Sequence, residues 1–218
     1  MALKFRLTLF LIVVAIAVVL AGCAKAADVD EATEENAGQT EAAVAESGKL
    51  TISFDFDRQE GSASNQFAVW IEDMDGNFVK TIYATRFIAS GGYQARPQAI
   101  PEWVELSGLK ATGESDFDAT TGATPAPGTV SFELALDGGP DGEVIPPGEY
   151  RFFVEGSLRW SNRVIYSGEI ELGGPAPITV QGEPEFIFTD SEEQPALTAE
   201  SEESAMIGPV TASYTPAG

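Results

Sequence analysis

The sequence predicts an all-β protein, an antiparallel β-sandwich with one short helix inserted into it, after a signal peptide and a flexible stalk. From residue 49 onward, several stretches alternate apolar with polar residues at the period of two that half-buried strands show. Clusters of glycine and proline separate those stretches at short intervals, as turns do in sandwiches. Residues 49–218 are long enough to form one such domain with its own core.

The amino terminus has the pattern of a bacterial export signal, which we assign to residues 1–22. Lys4 and Arg6 precede an apolar run over residues 7–20, which is short for a membrane-spanning helix of about 20 residues. The run leads into Leu-Ala-Gly-Cys, which resembles a lipobox. That resemblance implies that Cys23, the only cysteine, is lipidated and anchors the chain to the outer face of a bacterial membrane, at the cell surface or in the periplasm.

Residues 23–48 contain no aromatic residue and are rich in alanine, glutamate and threonine. Such a segment cannot bury enough apolar surface to offset the entropy that ordering would cost. We therefore predict a lipidated amino terminus followed by a disordered acidic stalk, which would hold the domain away from the bilayer.

The strands of the domain are predicted from their alternation. The first alternates Leu50, Ile52, Phe54 and Phe56 with polar neighbours. Five more are expected within QFAVWIED, NFVKTIYATRF, GTVSFELALDG, GEYRFFVEGSL and RVIYSGEIELGG, and EFIFTD and PVTASYTP could each add one. The acidic segment SEEQPALTAESEES between the last two predicts a loop.

One helix and one tight turn complete the predicted elements. A short helix is predicted within RPQAIPEWVELSGLK, where Ile100 and Val104 share one helical face that could also include Trp103 and Leu106. Asp75-Gly76, between the second and third strands, predicts a hairpin turn. EDMDGN also suggests a calcium loop, but its glycine comes one residue early and no glutamate follows where the bidentate ligand is needed, so we favour the hairpin.

The charge and the residue inventory exclude several functions. The chain has 12 basic and 34 acidic residues, a net charge of −22, and such a surface repels the phosphates of nucleic acids. It has no histidine, and Cys23 is committed to the lipid, so the usual zinc, haem and Ser-His-Asp sites cannot be built. We expect no nucleic-acid binding, no metal site and no catalytic apparatus of the chain's own.

The segment LDGGPDGEVIPPGEYRFFVEG resembles one found in flagellar-hook-capping-type Ig-like domains. In physical terms, Pro146 and Pro147 would block further strand pairing, after which Tyr150, Phe152 and Val154 would alternate into the core. The resemblance implies that the sandwich is immunoglobulin-like, and it implies a fold rather than an activity.

A wider resemblance covers most of residues 49–214. The order FAVWIEDMDGNFVKTIY, PEWVEL, DATTGATPAPG and DGEVIPPGEYRFFVEG is similar to the predicted periplasmic family called domain of unknown function 2271. That family is bacterial and exported, and it often occurs beside membrane redox modules and flavin-transfer enzymes. This chain departs from the family pattern at Leu136, where tryptophan is usual, and in GSLRWSNR, which lacks the usual histidine.

Seven residues, Asp118 to Thr124 (DATTGAT), resemble the acceptor sequence of FAD:protein FMN transferase. Carried over residue by residue, Thr124 would be the hydroxyl esterified by FMN phosphate, and Asp118, Thr121, Gly122 and Ala123 would be the recognition frame. The resemblance implies covalent FMN as cofactor, the transferase as a partner and a membrane redox protein as a second partner. It thus implies a role in electron transfer outside the cytoplasm.

The residue types suit an acceptor, although a plainer interpretation stays open. A threonine hydroxyl is a weak nucleophile and needs the base and the metal-bound diphosphate of a transferase. Gly122 and Ala123 keep bulky side chains away, and Pro125 biases Thr124 towards an extended backbone. A stretch this rich in Gly, Ala, Thr and Pro is also typical of ordinary loops. The alternative function is then a non-redox Ig-like binding or scaffold lipoprotein.

Three tryptophans, Trp70, Trp103 and Trp160, also allow two interpretations. Each could stack on the isoalloxazine ring of a flavin. Aromatic residues at alternating strand positions are more often part of the core, and the core is the role we favour.

Overall fold

The computed structural model describes residues 48–59, 64–112, 119–139, 142–159, 162–188 and 206–217, all within the unit Glu41–Gly218. The strands in these ranges are β1 (Lys49–Phe56), β2 (Gln66–Asp73), β3 (Phe78–Thr85), β4 (Ala119–Gly122), β5 (Gly128–Ala135), β6 (Gly148–Arg159), β7 (Asn162–Leu172), β8 (Ile178–Gln181), β9 (Glu183–Phe188) and β10 (Ile207–Thr215). The helices are α1 (Arg86–Ala89), α2 (Pro101–Leu106) and α3 (Leu109–Thr112), with a 3₁₀ turn at Gly92–Gln94. In this part of the chain, no helix is long and apolar enough to cross a bilayer.

The strands form two sheets, which confirms the predicted all-β sandwich. A four-stranded sheet has the order β5-β1-β10-β8, and a six-stranded sheet has the order β4-β3-β2-β6-β7-β9. The pairs are antiparallel except for β3 and β4, which run parallel at the edge of the larger sheet.

Most of the predicted elements are confirmed. All eight predicted strands and the helix within residues 96–110 are present, whereas β4, β8, α1 and α3 were not predicted. β4 lies in the stretch that the plainer interpretation treated as a loop. The predicted loop at residues 191–204, the signal peptide, Cys23 and the stalk lie outside the described residues.

The main core lies between the two sheets and follows the predicted alternation. The first strand buries Leu50, Ile52, Phe54 and Phe56, each 2 % exposed or less. An aromatic group continues this core towards the edge strand β4: the ring of Tyr83 lies 5.3 Å from that of Phe67 and 4.2 Å from that of Phe132. Tyr83 is therefore held rigidly near the edge of the six-stranded sheet.

The entry into β6 is built as predicted. Tyr150, Phe152 and Val154 are buried in the main core, and the Tyr150 hydroxyl donates a hydrogen bond to the carbonyl of Pro146 at 2.8 Å. This bond closes the proline segment onto the strand that follows it.

A second apolar cluster lies on the outer face of the six-stranded sheet, under the helices. Trp103 of α2 is fully buried in it, and its indole N–H donates to Thr81 Oγ1 at 2.9 Å. Trp70 stacks on Phe153, with ring centroids 5.1 Å apart. Trp70 and Trp103 are thus core residues, as favoured above, and Trp160 lies outside the described residues.

A buried carboxylate fastens α2 to this face. Glu155 of β6 is 0 % exposed, and it accepts hydrogen bonds from the Trp103 backbone N–H (3.0 Å) and from Arg163 Nη1 (2.8 Å). Burial raises the pKa of Glu155 to about 7, against the opposing effects of these two hydrogen bonds.

The turn between β2 and β3 is the predicted hairpin. Asp73 Oδ1 accepts the backbone N–H groups of Asp75 (3.0 Å) and Asn77 (2.8 Å), and Oδ2 accepts the Asn77 side-chain amide at 2.8 Å. These bonds lower the pKa of Asp73, and the bond from the Asn77 side chain has the largest effect. Because this carboxylate is satisfied inside the turn, the hairpin explains EDMDGN without calcium.

Candidate functional site

The acceptor-like motif ends on the edge of the six-stranded sheet. Thr121 and Gly122 are the last residues of β4, and they pair in parallel with Ala84 and Thr85 of β3. Asp118, the first residue of the motif, lies outside the described residues. As an edge strand, β4 leaves one side without a neighbouring strand of its sheet.

Tyr83 fixes the turn that follows β4. Its hydroxyl donates to the carbonyl of Ala123 at 2.8 Å. A Cβ added at Gly122 would lie 2.7 Å from the Tyr83 hydroxyl oxygen, so only glycine allows this close approach. Burial raises the pKa of Tyr83, and the charge of Arg86 opposes the rise.

Thr124 is partly buried, and its hydroxyl donates to the backbone carbonyl of Asn65 at 3.0 Å. The same carbonyl also accepts the Gln66 side-chain amide at 2.8 Å. Esterification of Thr124 would remove the hydroxyl proton and with it the first bond. Since the second bond remains, the Asn65 carbonyl would keep a partner, and the change would leave no orphaned acceptor.

A buried polar network joins this carbonyl to the sheet. Gln66 Oε1 accepts the Thr85 hydroxyl at 2.6 Å, and the side chain of Asn65 exchanges hydrogen bonds with the backbone of Gln59 at 2.8 and 3.0 Å. Asn65, Gln66 and Thr85 are each 2 % exposed or less. The motif turn therefore rests on a fully hydrogen-bonded, rigid support.

Positive charge and an exposed aromatic ring lie beside the motif. Arg86 and Phe87 begin α1 directly after Thr85, and α1 contacts β4. Phe87 is 43 % exposed, and the guanidinium carbon of Arg96 lies 5.6 Å from its ring centroid. Arg96 Nη1 also donates to the Ser64 carbonyl at 2.9 Å, next in the chain to the Asn65 carbonyl that binds Thr124.

The arrangement fits an acceptor for a phosphate ester. Thr124 is in an irregular segment past an edge strand, its neighbour Ala123 is exposed, and two arginines lie nearby in a chain of net charge −22. The sequence alone did not indicate Tyr83, Asn65 or the two arginines. The contacts of Tyr83 and Asn65 with the motif join residues that are 40 and 59 positions apart in the chain. In the described ranges, no group of three His, Cys, Asp or Glu residues could hold a metal ion.

A concave surface lies elsewhere on the domain. A cleft of about 530 Å³ opens beside β6 and β7, and it is lined by Arg151, Phe153, Ser167, Gly168, Glu169, Val180, Gln181 and Glu183. None of the described motif residues lines it. Its walls combine an aromatic ring, one cation and two carboxylates, a mixture found in binding sites for small polar molecules.

The comparisons with known proteins give a family without an assigned activity. No curated protein and no solved structure shows significant similarity to the chain. The family described as "Predicted periplasmic protein (DUF2271)" matches residues 47–187. Its description supports an exported location, as the amino terminus predicted. Because the match covers well over half of the 218 residues, the chain belongs to the DUF2271 family of predicted periplasmic proteins.

Proposed function

We propose that this protein is a lipoprotein, anchored through Cys23, that carries FMN covalently on Thr124 and transfers electrons outside the cytoplasm. The transferase that attaches the flavin and a membrane redox protein are its proposed partners. The observation that carries the proposal is the setting of Thr124: a partly buried position next to the exposed Ala123, past an edge strand, where the hydroxyl can be esterified without orphaning the carbonyl it binds.

The attachment step would exchange the diphosphate linkage of FAD for a phosphate ester on Thr124. The Thr124 oxygen would form a bond to the FMN-side phosphorus of FAD, the diphosphate bond of FAD would break, and AMP would leave. The hydroxyl proton would go to a base of the transferase, since the activation of a threonine hydroxyl needs one. This chain would contribute the presented hydroxyl, the close Gly122 backbone and the rigid support from Tyr83.

Once attached, FMN would supply the redox chemistry, while the protein would supply position and electrostatics. Arg86 and Arg96 would face the anionic phosphate diester, since Arg86 directly follows Thr85, the partner of Gly122, and Arg96 binds the carbonyl next to that of Asn65. Holding the flavin on the protein surface next to an edge strand would leave it open to electron partners.

The test is intact-protein mass spectrometry after coexpression with an active FAD:protein FMN transferase. We expect a gain of one FMN less water, mapped to the peptide that contains Thr124. Thr124→Ala should lose the gain. Thr120→Ala is the matched control, because Thr120 lies in β4, just before Thr124, at a free position of the acceptor pattern and is exposed. Unmodified wild-type protein, with a transferase proven active on another acceptor, would contradict the proposal.

A second candidate function is a non-redox binding or scaffold lipoprotein of the same fold. The cleft beside Phe153 is the observation that favours it, because its mixed aromatic and charged lining suits a small polar ligand. The same mass measurement separates the two functions, since this candidate predicts no added flavin.

A further inference from the structure

The surface beside Thr124 contains an aromatic side chain that the core does not use. Phe87 is 43 % exposed, although most large apolar side chains of the described residues are buried. It follows Thr85 by two positions, and Thr85 pairs with Gly122 of the motif. A Cβ on Gly92 would lie 2.6 Å from the Phe87 ring, so the backbone of the 3₁₀ turn packs closely against the ring and holds it in place.

A continuous line of contacts leads from this ring to the acceptor hydroxyl. The Arg96 guanidinium lies over Phe87, and its Nη1 binds the Ser64 carbonyl at 2.9 Å. The next carbonyl in the chain, that of Asn65, accepts the Thr124 hydroxyl. The ring and the hydroxyl are thus linked through Arg96 and two adjacent backbone carbonyls, and α1 itself contacts β4.

We propose that Phe87 is the docking platform for the isoalloxazine of the FMN on Thr124, with Arg86 and Arg96 facing the phosphate diester. This inference rests on the proposed function and adds where the flavin lies. The phosphate would be joined directly to Thr124, and the ribityl chain would carry the ring system across the arginines to the exposed phenyl ring. Aromatic rings attract one another in offset-stacked arrangements, and arginine attracts both an anionic phosphate and an aromatic face.

The docking would show in the rotational freedom of the flavin. Time-resolved fluorescence anisotropy of the flavinylated protein separates a docked flavin, which tumbles with the domain, from a free one. We expect Phe87→Ala to lower the docked-to-free ratio about fivefold, which corresponds to about 1 kcal/mol, the size of one aromatic contact. Arg86→Gln should lower the ratio too, and added salt should reduce the difference between Arg86→Gln and wild type because it screens the charge pair.

Two matched controls separate this role from a general effect of substitution. Met74→Ala removes an apolar side chain of the same 43 % exposure, in the turn at the other end of β2 and β3. Lys49→Gln removes an exposed cation at the opposite end of β1 from the Asn65 support. Neither should change the docked-to-free ratio.

Mass spectrometry of each preparation distinguishes the possible failures. Wild-type protein without FMN would overturn both proposals. Flavinylated Phe87→Ala with the wild-type ratio would overturn the platform and leave the attachment standing. The wild type alone gives a check that needs no variant: its flavin should rotate with the domain when folded and freely in denaturant, and equal freedom in both states would refute docking.

Discussion

Glu155 makes the stability of the domain depend on pH in a way that one substitution can isolate. Its ordinary pKa of 4.5 rises to about 7 in the folded protein because the carboxyl group is fully buried. A rise of about 2.5 pH units corresponds to about 3 kcal/mol, since each pH unit is worth about 1.4 kcal/mol. The buried carboxylate is therefore a substantial cost at neutral pH.

The folded protein holds the Glu155 proton more tightly than the unfolded chain does, and this sets the direction in which stability changes with pH. The unfolded chain releases the Glu155 proton near its ordinary pKa of 4.5, whereas the folded protein keeps it until about pH 7. Between these values the folded state binds more protons, so the free energy of unfolding falls as pH rises. The contribution of Glu155 is fully present below the lower value and is lost above the higher one.

Glu155→Gln removes the titration and keeps an acceptor for the Trp103 backbone N–H. We expect wild-type protein to lose about 3 kcal/mol more unfolding free energy than the variant between about pH 4.5 and about pH 8, measured by urea denaturation. The other titrating groups are shared and cancel in this difference. Parallel pH profiles for the two proteins would refute the reasoning, because they would mean that burial does not hold the proton on Glu155.

Two further substitutions test the support of the motif and of α2. Gly122→Ala would place a Cβ 2.7 Å from the Tyr83 hydroxyl oxygen, and the Tyr83 ring cannot move away because its centroid lies 4.2 Å from that of Phe132. We expect the free energy of unfolding in urea to fall by about 2 kcal/mol. An unchanged midpoint would show that the turn is not fixed as described. Trp103→Phe leaves Thr81 without its indole donor and opens a cavity in the second cluster, and we expect a fall of about 2–3 kcal/mol. A neutral result in a thermal melt would place Trp103 outside the cooperative core.

The strands were predictable where burial of one face dictates the alternation. Leu50, Ile52, Phe54 and Phe56 give that pattern, and all four are buried. The four residues of β4, Ala-Thr-Thr-Gly, carry no such pattern, and they are a strand because β3 offers them an edge. Local composition contains no information on that pairing.

The candidate site, like the strands, was predictable from the sequence only in part. The motif can be read in the sequence as Thr121 to Thr124, because its residues are adjacent. Its support cannot be read there, because Asn65 and Tyr83 reach it only through the folding of the sheet. Their nearest signal in the sequence is a pair of amides, Asn65-Gln66, placed directly before the apolar strand β2.

The direction of β1 separates the start of the described domain from the acceptor-like motif. The strand begins at Lys49 and, about 23 Å further on at ~3.3 Å for each residue step, reaches Phe56, which pairs with Gly128 shortly after Thr124 in the chain. The first described strand therefore starts at one end of the domain, and the turn that contains Thr124 lies towards the other end. Under the proposed function, the flavin would lie at the end of β1 remote from Lys49, so an electron partner would have to reach that end of the domain.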